Sequence, residues 1–287
     1  MRKRQVGFCV LAMSAAALVV ASTAAMVSEA GEALGQTEQG TTFSSTAESE
    51  ATTTNAPRRR RRRRPQPYKA VEFSDGGTIT GLVLYKGPKP PNTKIAIVKD
   101  HDTCGRRETV VPKIRVDEKG RVAEAVVFLT DITRGKAFAK RDKPPVIDQH
   151  LCTFVPHVQA VRVGEPVEII NSDDVAHNIN VTQRIYTLFN ILQPLKNMKA
   201  EKRFTRPGVV KLRCNVHDWM NGYVYVFNNP YHQVTAADGA FRLENVPAGE
   251  YELAVWQEHL KEQYFKVKVK AGETTNLSVE LAPAAGR

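Results

Sequence analysis

From residue 71 onward the chain is written in short runs of β-branched, aliphatic and aromatic residues, and this pattern limits the fold more than any other feature of the sequence. The runs fall at 78–85, 94–99, 122–129, 160–171, 176–181, 209–214 and 223–227, with Gly, Pro, Asn and Asp between them. No long amphipathic helix is written anywhere among them. The segment 186–198 has scattered apolar residues and is expected to be a short helix or a loop excursion. After Asn228-Asn229-Pro230 a second set of alternating runs begins, at 234–243, 246–255, 264–269 and 275–281, punctuated by Asp238-Gly239 and Pro247-Ala248-Gly249 turns. Short strands at this spacing predict an all-β protein of sandwich type. The second set spans about 55 residues, few for an independent core, so it either packs on the preceding sandwich or completes itself with strands near 78–99.

The first 70 residues do not belong to that pattern. Met1 to Arg4 is basic, residues 8–20 are almost wholly apolar, and small residues including Ser22, Ala24, Ser28 and Ala30 follow. This is the layout of a secretory signal, here assigned to 1–30, with an uncleaved membrane anchor as the alternative because the apolar stretch extends to Val27. Cys9 lacks a lipid-attachment pattern, and no Ser-Arg-Arg arrangement precedes the apolar run, which favours the general secretory route. The expected location is periplasmic or otherwise extracytoplasmic. Residues 31–57, rich in Thr, Ser, Glu, Ala and Gly, cannot bury enough apolar area to offset their ordering entropy. Seven consecutive arginines from Arg58 to Arg64 then run into Pro65 and Pro67, extended by self-repulsion. They are either a solvated linker or a contact for an envelope or other anionic surface, worth about 1 kcal/mol per residue near an acidic membrane. The expected division is thus a signal at 1–30, a linker at 31–70, a larger β unit at 71–229 and a smaller one at 230–287.

Ten of the 41 Lys and Arg residues lie before residue 65, which leaves 31 against 25 acidic residues in the remainder. The basic character belongs mostly to the tail, and no specific nucleic-acid partner is expected for the folded part. Three of the four cysteines follow the signal, an odd number that calls for one pair plus one thiol with another use. Cys104 and Cys152 are taken as the pair, closing a loop worth about 4 kcal/mol, with two reduced thiols as the alternative.

Cys214 is the thiol left over. Cys214-Asn-Val-His217-Asp-Trp-Met220 sets a thiolate, an imidazole and a thioether three residues apart on one turn leaving a strand. Asn171-Ser-Asp-Asp-Val-Ala-His177-Asn178 supplies a second histidine from a polar loop after an apolar strand. Two imidazoles, one thiolate and a weak axial Met form the ligand set of electron-transfer copper, because soft sulfur favours Cu(I) while imidazole tolerates Cu(II). Zinc gains little from the thioether. One copper ion on His177, Cys214, His217 and Met220 is therefore expected, although a buried cysteine and a core methionine are the ordinary fates of those residue types. Trp219 is either a buried aromatic or part of an electron-entry surface. His101, His150, His157, His232 and His259 are expected to be structural or surface residues.

With these residues in place, His177-Asn178 followed by Cys214-x-x-His217-x-x-Met220 resembles the cupredoxins, type 1 blue copper proteins, with amicyanin-like ligand spacing over about 160–227. The longer string from Cys152-x-Phe-x-Pro156-His157 through Trp219-Met220 is similar to cupredoxin-like proteins labelled methylamine utilisation proteins, a label that does not establish such a pathway. The resemblance implies a Greek-key β-sandwich, Asn178 steadying the Cys214 sulfur through its backbone or amide, and His217 presenting an exposed edge to a redox protein partner.

The second unit, through Asp238-Gly-Ala-Phe241 and Val246-Pro-Ala-Gly-Glu-Tyr251, resembles carboxypeptidase regulatory-like and transthyretin-like modules, including the accessory sandwich of rhamnogalacturonan lyases. That accessory sandwich brings no catalytic residues, and the chain shows no nucleophile elbow, paired-carboxylate signature, phosphate loop or dinucleotide fingerprint. The expectation is a non-enzymatic electron carrier. Copper delivery or storage, and a carbohydrate- or envelope-binding module with a structural metal site, are the alternatives.

Overall fold

A computed structural model of the 287-residue chain describes residues 67–283 apart from Lys89, Arg106 and Arg107. The expected signal at 1–30, including Cys9, and the linker as far as residue 66, including Arg58 to Arg64, lie outside the described residues. Among the described residues the chain is almost entirely β, with one four-residue helix, His101–Cys104, and no helix long and apolar enough to cross a membrane.

Two β-sandwiches account for most of it. In the first, one sheet runs Lys199–Arg203, Pro166–Asn171, Val146–His150, Thr153–Val155, and the other runs Tyr186–Gln193, His177–Gln183, Gly208–Arg213, Asn221–Phe227, Val158–Arg162. The chain crosses repeatedly from sheet to sheet, so the order is non-sequential, of the Greek-key kind. Val167, Ile169, Ile179, Val181, Val210 and Val224 alternate inward and are all fully buried in the shared core. In the second sandwich, His232–Val234, Val126–Leu129, Gly249–Gln257 and Leu260–Val269 face Ala240–Val246, Gly77–Tyr85 and Thr274–Leu281. Strands from before the first sandwich therefore complete the sheets of the C-terminal one, and the chain position 229/230 separates segments of sequence, not of sheet. Gly81, at the centre of its sheet, lies where a Cβ would overlap the backbone carbonyl of Leu277, so the close parallel pairing there requires glycine.

The two sandwiches pack sheet on sheet. Val127 and Leu129 point into the second core, whereas Val126 and Phe128 point the other way, against Val158, Tyr225 and Phe227. Phe128 lies 4.8 Å from the Tyr225 ring and 5.3 Å from Phe227, in tilted and edge-on arrangements that suit ring quadrupoles. Burial on both faces explains why Val126–Leu129 and residues 223–227 read as unbroken apolar runs without the alternation of a half-exposed strand.

Three local expectations are corrected. Tyr186–Gln193 is a strand, paired along the edge with His177–Gln183, not a helix or loop excursion. Its apolar residues sit on both faces: Phe189 and Ile191 pack on the core while Tyr186 and Leu192 are exposed, so no clean period of two shows in the sequence. The run 160–171 is two strands in different sheets. Gly164, at φ +78°, turns the chain between them, and the Glu165 carboxylate accepts the Arg162 backbone N–H across the turn. The run 122–129 narrows to Val126–Leu129 because Glu124, at φ +60°, interrupts the extended backbone.

Candidate metal centre

The ligand loop forms where Gly208–Arg213 ends and Asn221–Phe227 returns beside it. Cys214 N–H donates to the Met220 carbonyl at 3.0 Å, and Met220 N–H donates to the His217 carbonyl, also at 3.0 Å. These two bonds close a tight loop that turns Cys214, His217 and Met220 inward, with 3 %, 0 % and 1 % of their surfaces exposed. Met220 shares the core cluster of Cys214.

His177 opens the neighbouring strand, and the loop before it is built by side chains. Asn171, fully buried, accepts the Asp173 N–H and donates to the carbonyls of Val175 and Gln193. Asp173 does three jobs. Its carboxylate accepts the backbone N–H groups of Leu151 and Cys152 at 2.8 and 2.9 Å and meets His177 Nε2 at 2.7 Å. Leu151 and Cys152 are the two central residues of a hairpin turn, both at positive φ (49° and 54°), which disfavours side-chain-bearing residues by about 1–2 kcal/mol each. The two charge-assisted bonds from Asp173 offset that strain. Burial alone would push the Asp173 carboxyl up, but those N–H groups and His177 outweigh it and hold it below the ordinary value. For His177, burial wins over Asp173 and favours the neutral ring, the form that can ligate a metal.

His177 and His217 turn their Nδ1 atoms toward one another and toward the thiol. The two nitrogens are 3.0 Å apart and lie 4.0 and 3.8 Å from Cys214 Sγ. Metal bonds of about 2.0 Å to nitrogen and about 2.3 Å to sulfur span these separations, so His177, Cys214 and His217 would hold one metal ion between them without moving. The outer edges of the donors are already engaged: Asn178 N–H donates to Cys214 Sγ at 3.4 Å, and the Asn178 side chain donates to Asn190 and accepts from Asn215 N–H. Two further groups of potential ligands, Cys104 with Cys152 and His217, and Cys152 with Asp173 and His177, adjoin the first. Cys104 and Cys152 are joined in a disulfide, with Cα atoms 5.1 Å apart, and have no thiolate to offer.

One implication of the cupredoxin resemblance is overturned. His217 presents no exposed edge: its ring is fully buried and its Nε2 lies 2.9 Å from the Asp100 carboxylate. Asp100 arrives on the segment joining Asn92–Ala96 to the helix His101–Cys104, and the disulfide fastens that helix over the site. Ile97, Cys104, Cys152, Val175 and Trp219 form a small cluster there. Trp219 is half-buried, 5.0 Å from the His217 ring, and with Cys214 and Met220 it lines a cleft that opens to solvent between the two sandwiches. Sequence reasoning missed Asp100 and Asp173. Asp173 stood inside the Asn-Ser-Asp turn, where a carboxylate four residues before a ligand histidine was a usable signal; Asp100 is 117 residues from its partner and had none.

Of the remaining histidines, His157 and His232 are structural. The His232 ring stacks on Phe227 at 3.9 Å, and burial lowers its pKa to about 4, so it stays neutral. His157 Nε2 meets Glu258 at 2.7 Å, across the junction of the sandwiches. Burial opposes the His157 cation, but the bond and charge of Glu258 prevail and raise its pKa above 6.5; burial likewise opposes the Glu258 anion, but His157 prevails and lowers its pKa below 4.5. The histidine's contribution is complete below pH 6.5 and fades as pH rises through its folded value; that of the glutamate is complete above pH 4.5 and fades as pH falls through its folded value. The pair should stabilise the fold most between those limits. Glu258→Gln is expected to lower stability there by about 1.5–3 kcal/mol, with the difference from the parent shrinking on both sides. Urea titrations from pH 4 to 9 check it, and a pH-independent difference would contradict it.

Comparison with known proteins gives partial matches. A family model described as polysaccharide lyase family 4, domain II, matches residues 202–277. That stretch begins in the first sandwich and ends in the second, and contains Cys214, His217 and Met220 but not His177. No curated protein matches the chain. Among solved structures, the chain is similar to a reduced amicyanin variant, at 24 % identity over 31 % of this chain and 86 % of the other, with a TM-score of 0.28. It is also similar to an oxidised amicyanin variant, at 25 % identity over 32 % of this chain and 90 % of the other, again with a TM-score of 0.28.

Proposed function

We propose that this chain is an exported one-electron carrier that holds a single copper ion on His177, Cys214 and His217, with Met220 as the weaker fourth donor. The observation that carries this reading is the convergence of two imidazole nitrogens and one thiol sulfur, 3.0 to 4.0 Å apart and buried. When bound, copper supplies the exchange between Cu(I) and Cu(II) that such a mixed soft and borderline donor set permits. The chain's part is to keep that set still. Asp173 and Asp100 fix which way each imidazole faces, Asn178 N–H offsets charge on the sulfur, and burial keeps water out. In this reading the chain makes and breaks no bonds of its own and exchanges electrons with a redox protein partner. Because Asp100 covers His217, the approach for electrons is the cleft side, past Trp219 and Met220.

Titration of the purified full chain with copper tests this. One equivalent should bind, give an intense visible thiolate-to-copper band, and show a reversible couple by voltammetry. Weakly held copper without a reversible couple would instead identify delivery or storage, a reading that burial of all four side chains disfavours. A carbohydrate-binding role has one observation in its favour, the match to the polysaccharide lyase domain. Retained binding of cell-wall polysaccharide by metal-free protein would select it.

A further inference from the structure

We propose that the cleft between the two sandwiches is a binding site for a small polyanion bearing carboxylate or phosphate groups. The cleft measures about 930 Å³, within the range of roughly 300–1,000 Å³ typical of small-molecule sites. Its lining includes Lys211 and Arg213 from the end of Gly208–Arg213, Lys113 just beyond the strand Glu108–Pro112, and the turn containing Glu258 and His259.

Its charge is unbalanced in a specific way. Two of the three carboxylates at the cleft are already engaged, Glu124 by Arg115 at 3.4 Å and Glu258 by His157 at 2.7 Å, leaving only the exposed Asp218. Lys113, Lys211 and Arg213 form no ion pair among the described residues, so the cleft carries three cations without a counter-charge in contact. Burial and then the positive charge of Arg213 hold the Lys211 ammonium below its usual value, against the opposing charge of Glu258. His259, in the same lining, is lowered by burial, which Glu258 opposes, and further by Lys113, His157 and Lys211. Lys113 and Arg213 are exposed and Lys211 is half-buried; like charges without ion-pair partners around a concave site outweigh the one free carboxylate and focus a positive potential there, which draws in an anion with two or more charged groups. The concave shape suits a small molecule better than the flat face of a protein. None of these cations is a candidate metal ligand, so the site stands whether or not the metal reading does.

Calorimetric titration of the full chain, without added metal and at low ionic strength, tests the proposal with citrate and pyrophosphate as probes. One saturable site is expected for at least one probe, weakened tenfold or more in Lys211→Glu/Arg213→Glu. Lys113→Glu, from a different segment of the lining, should weaken it in the same direction. Lys211→Arg/Arg213→Lys, which keeps the charges, should bind within about threefold of the parent and so separates lost recognition from lost folding. Lys140→Glu/Lys143→Glu, an equal charge change at exposed positions outside the cleft, should bind like the parent. Preference for citrate assigns a carboxylate ligand, preference for pyrophosphate a phosphate. Absence of saturable binding to the parent, or an equal loss in the Lys140/Lys143 variant, would overturn the proposal.

Discussion

Cys214→Ala is expected to remove the intense visible band of the copper-loaded protein entirely and to leave no stoichiometric copper after desalting. The thiolate is the only anionic and the only soft strong donor among the side chains at the centre, and the band is a transition from sulfur to metal, so nothing that remains can supply it. The fold should persist. The substitution removes one sulfur from a large core that includes Val181, Leu212 and Val224, and the loop's two backbone bonds do not involve the thiol. The informative control is the double variant Cys104→Ala/Cys152→Ala, which removes the disulfide without leaving a stray thiol beside His217. It should keep the band. A Cys214→Ala protein that keeps both colour and copper would exclude the centre described above.

That double variant carries the second large effect, on stability. The disulfide spans 48 residues, and opening a loop of that length lowers stability by about 4 kcal/mol on the chain-entropy model. For a folded part of this size, that corresponds to a fall in Tm of about 8–16 °C. The consequences should reach the metal as well. Cys104 ends the helix that follows Asp100, and Cys152 lies in the turn that Asp173 holds, so one covalent bond anchors the supports of both histidines. Copper in the double variant should be lost to a chelator at least tenfold faster than from the parent, even where the optical band is unchanged. A Tm within about 2 °C of the parent together with unchanged copper release would show that the covering segment is held without the bond.

How much of this could be read before the chain was folded depends on how far apart in sequence the interacting groups lie. Spacing within seven residues made Cys214, His217 and Met220 a group, because a single turn fixes their relative positions. Cysteine parity singled out Cys214 as the thiol without a partner. His177 came from a polar loop beginning with an Asn that does organise that loop. The failures share a cause. Tyr186–Gln193 lost its signal because an exposed edge strand can carry apolar residues on both faces, and the 160–171 run was divided only by the conformation of Gly164.

What the amino-acid order determined by itself was the β character, set by local propensity and turn chemistry, and the identity of the candidate metal ligands, set by their chemistry and short spacing. Only the tertiary structure decided what surrounds them. Pairing of Gly77–Tyr85 with Thr274–Leu281 closes the second sandwich across nearly the whole described chain, and Asp100 reaches His217 over 117 residues. Such contacts depend on which sheets stack and where a crossing segment is tied down. No local pattern encodes that, because the free energy that selects it comes from burying faces that meet only after the chain has folded.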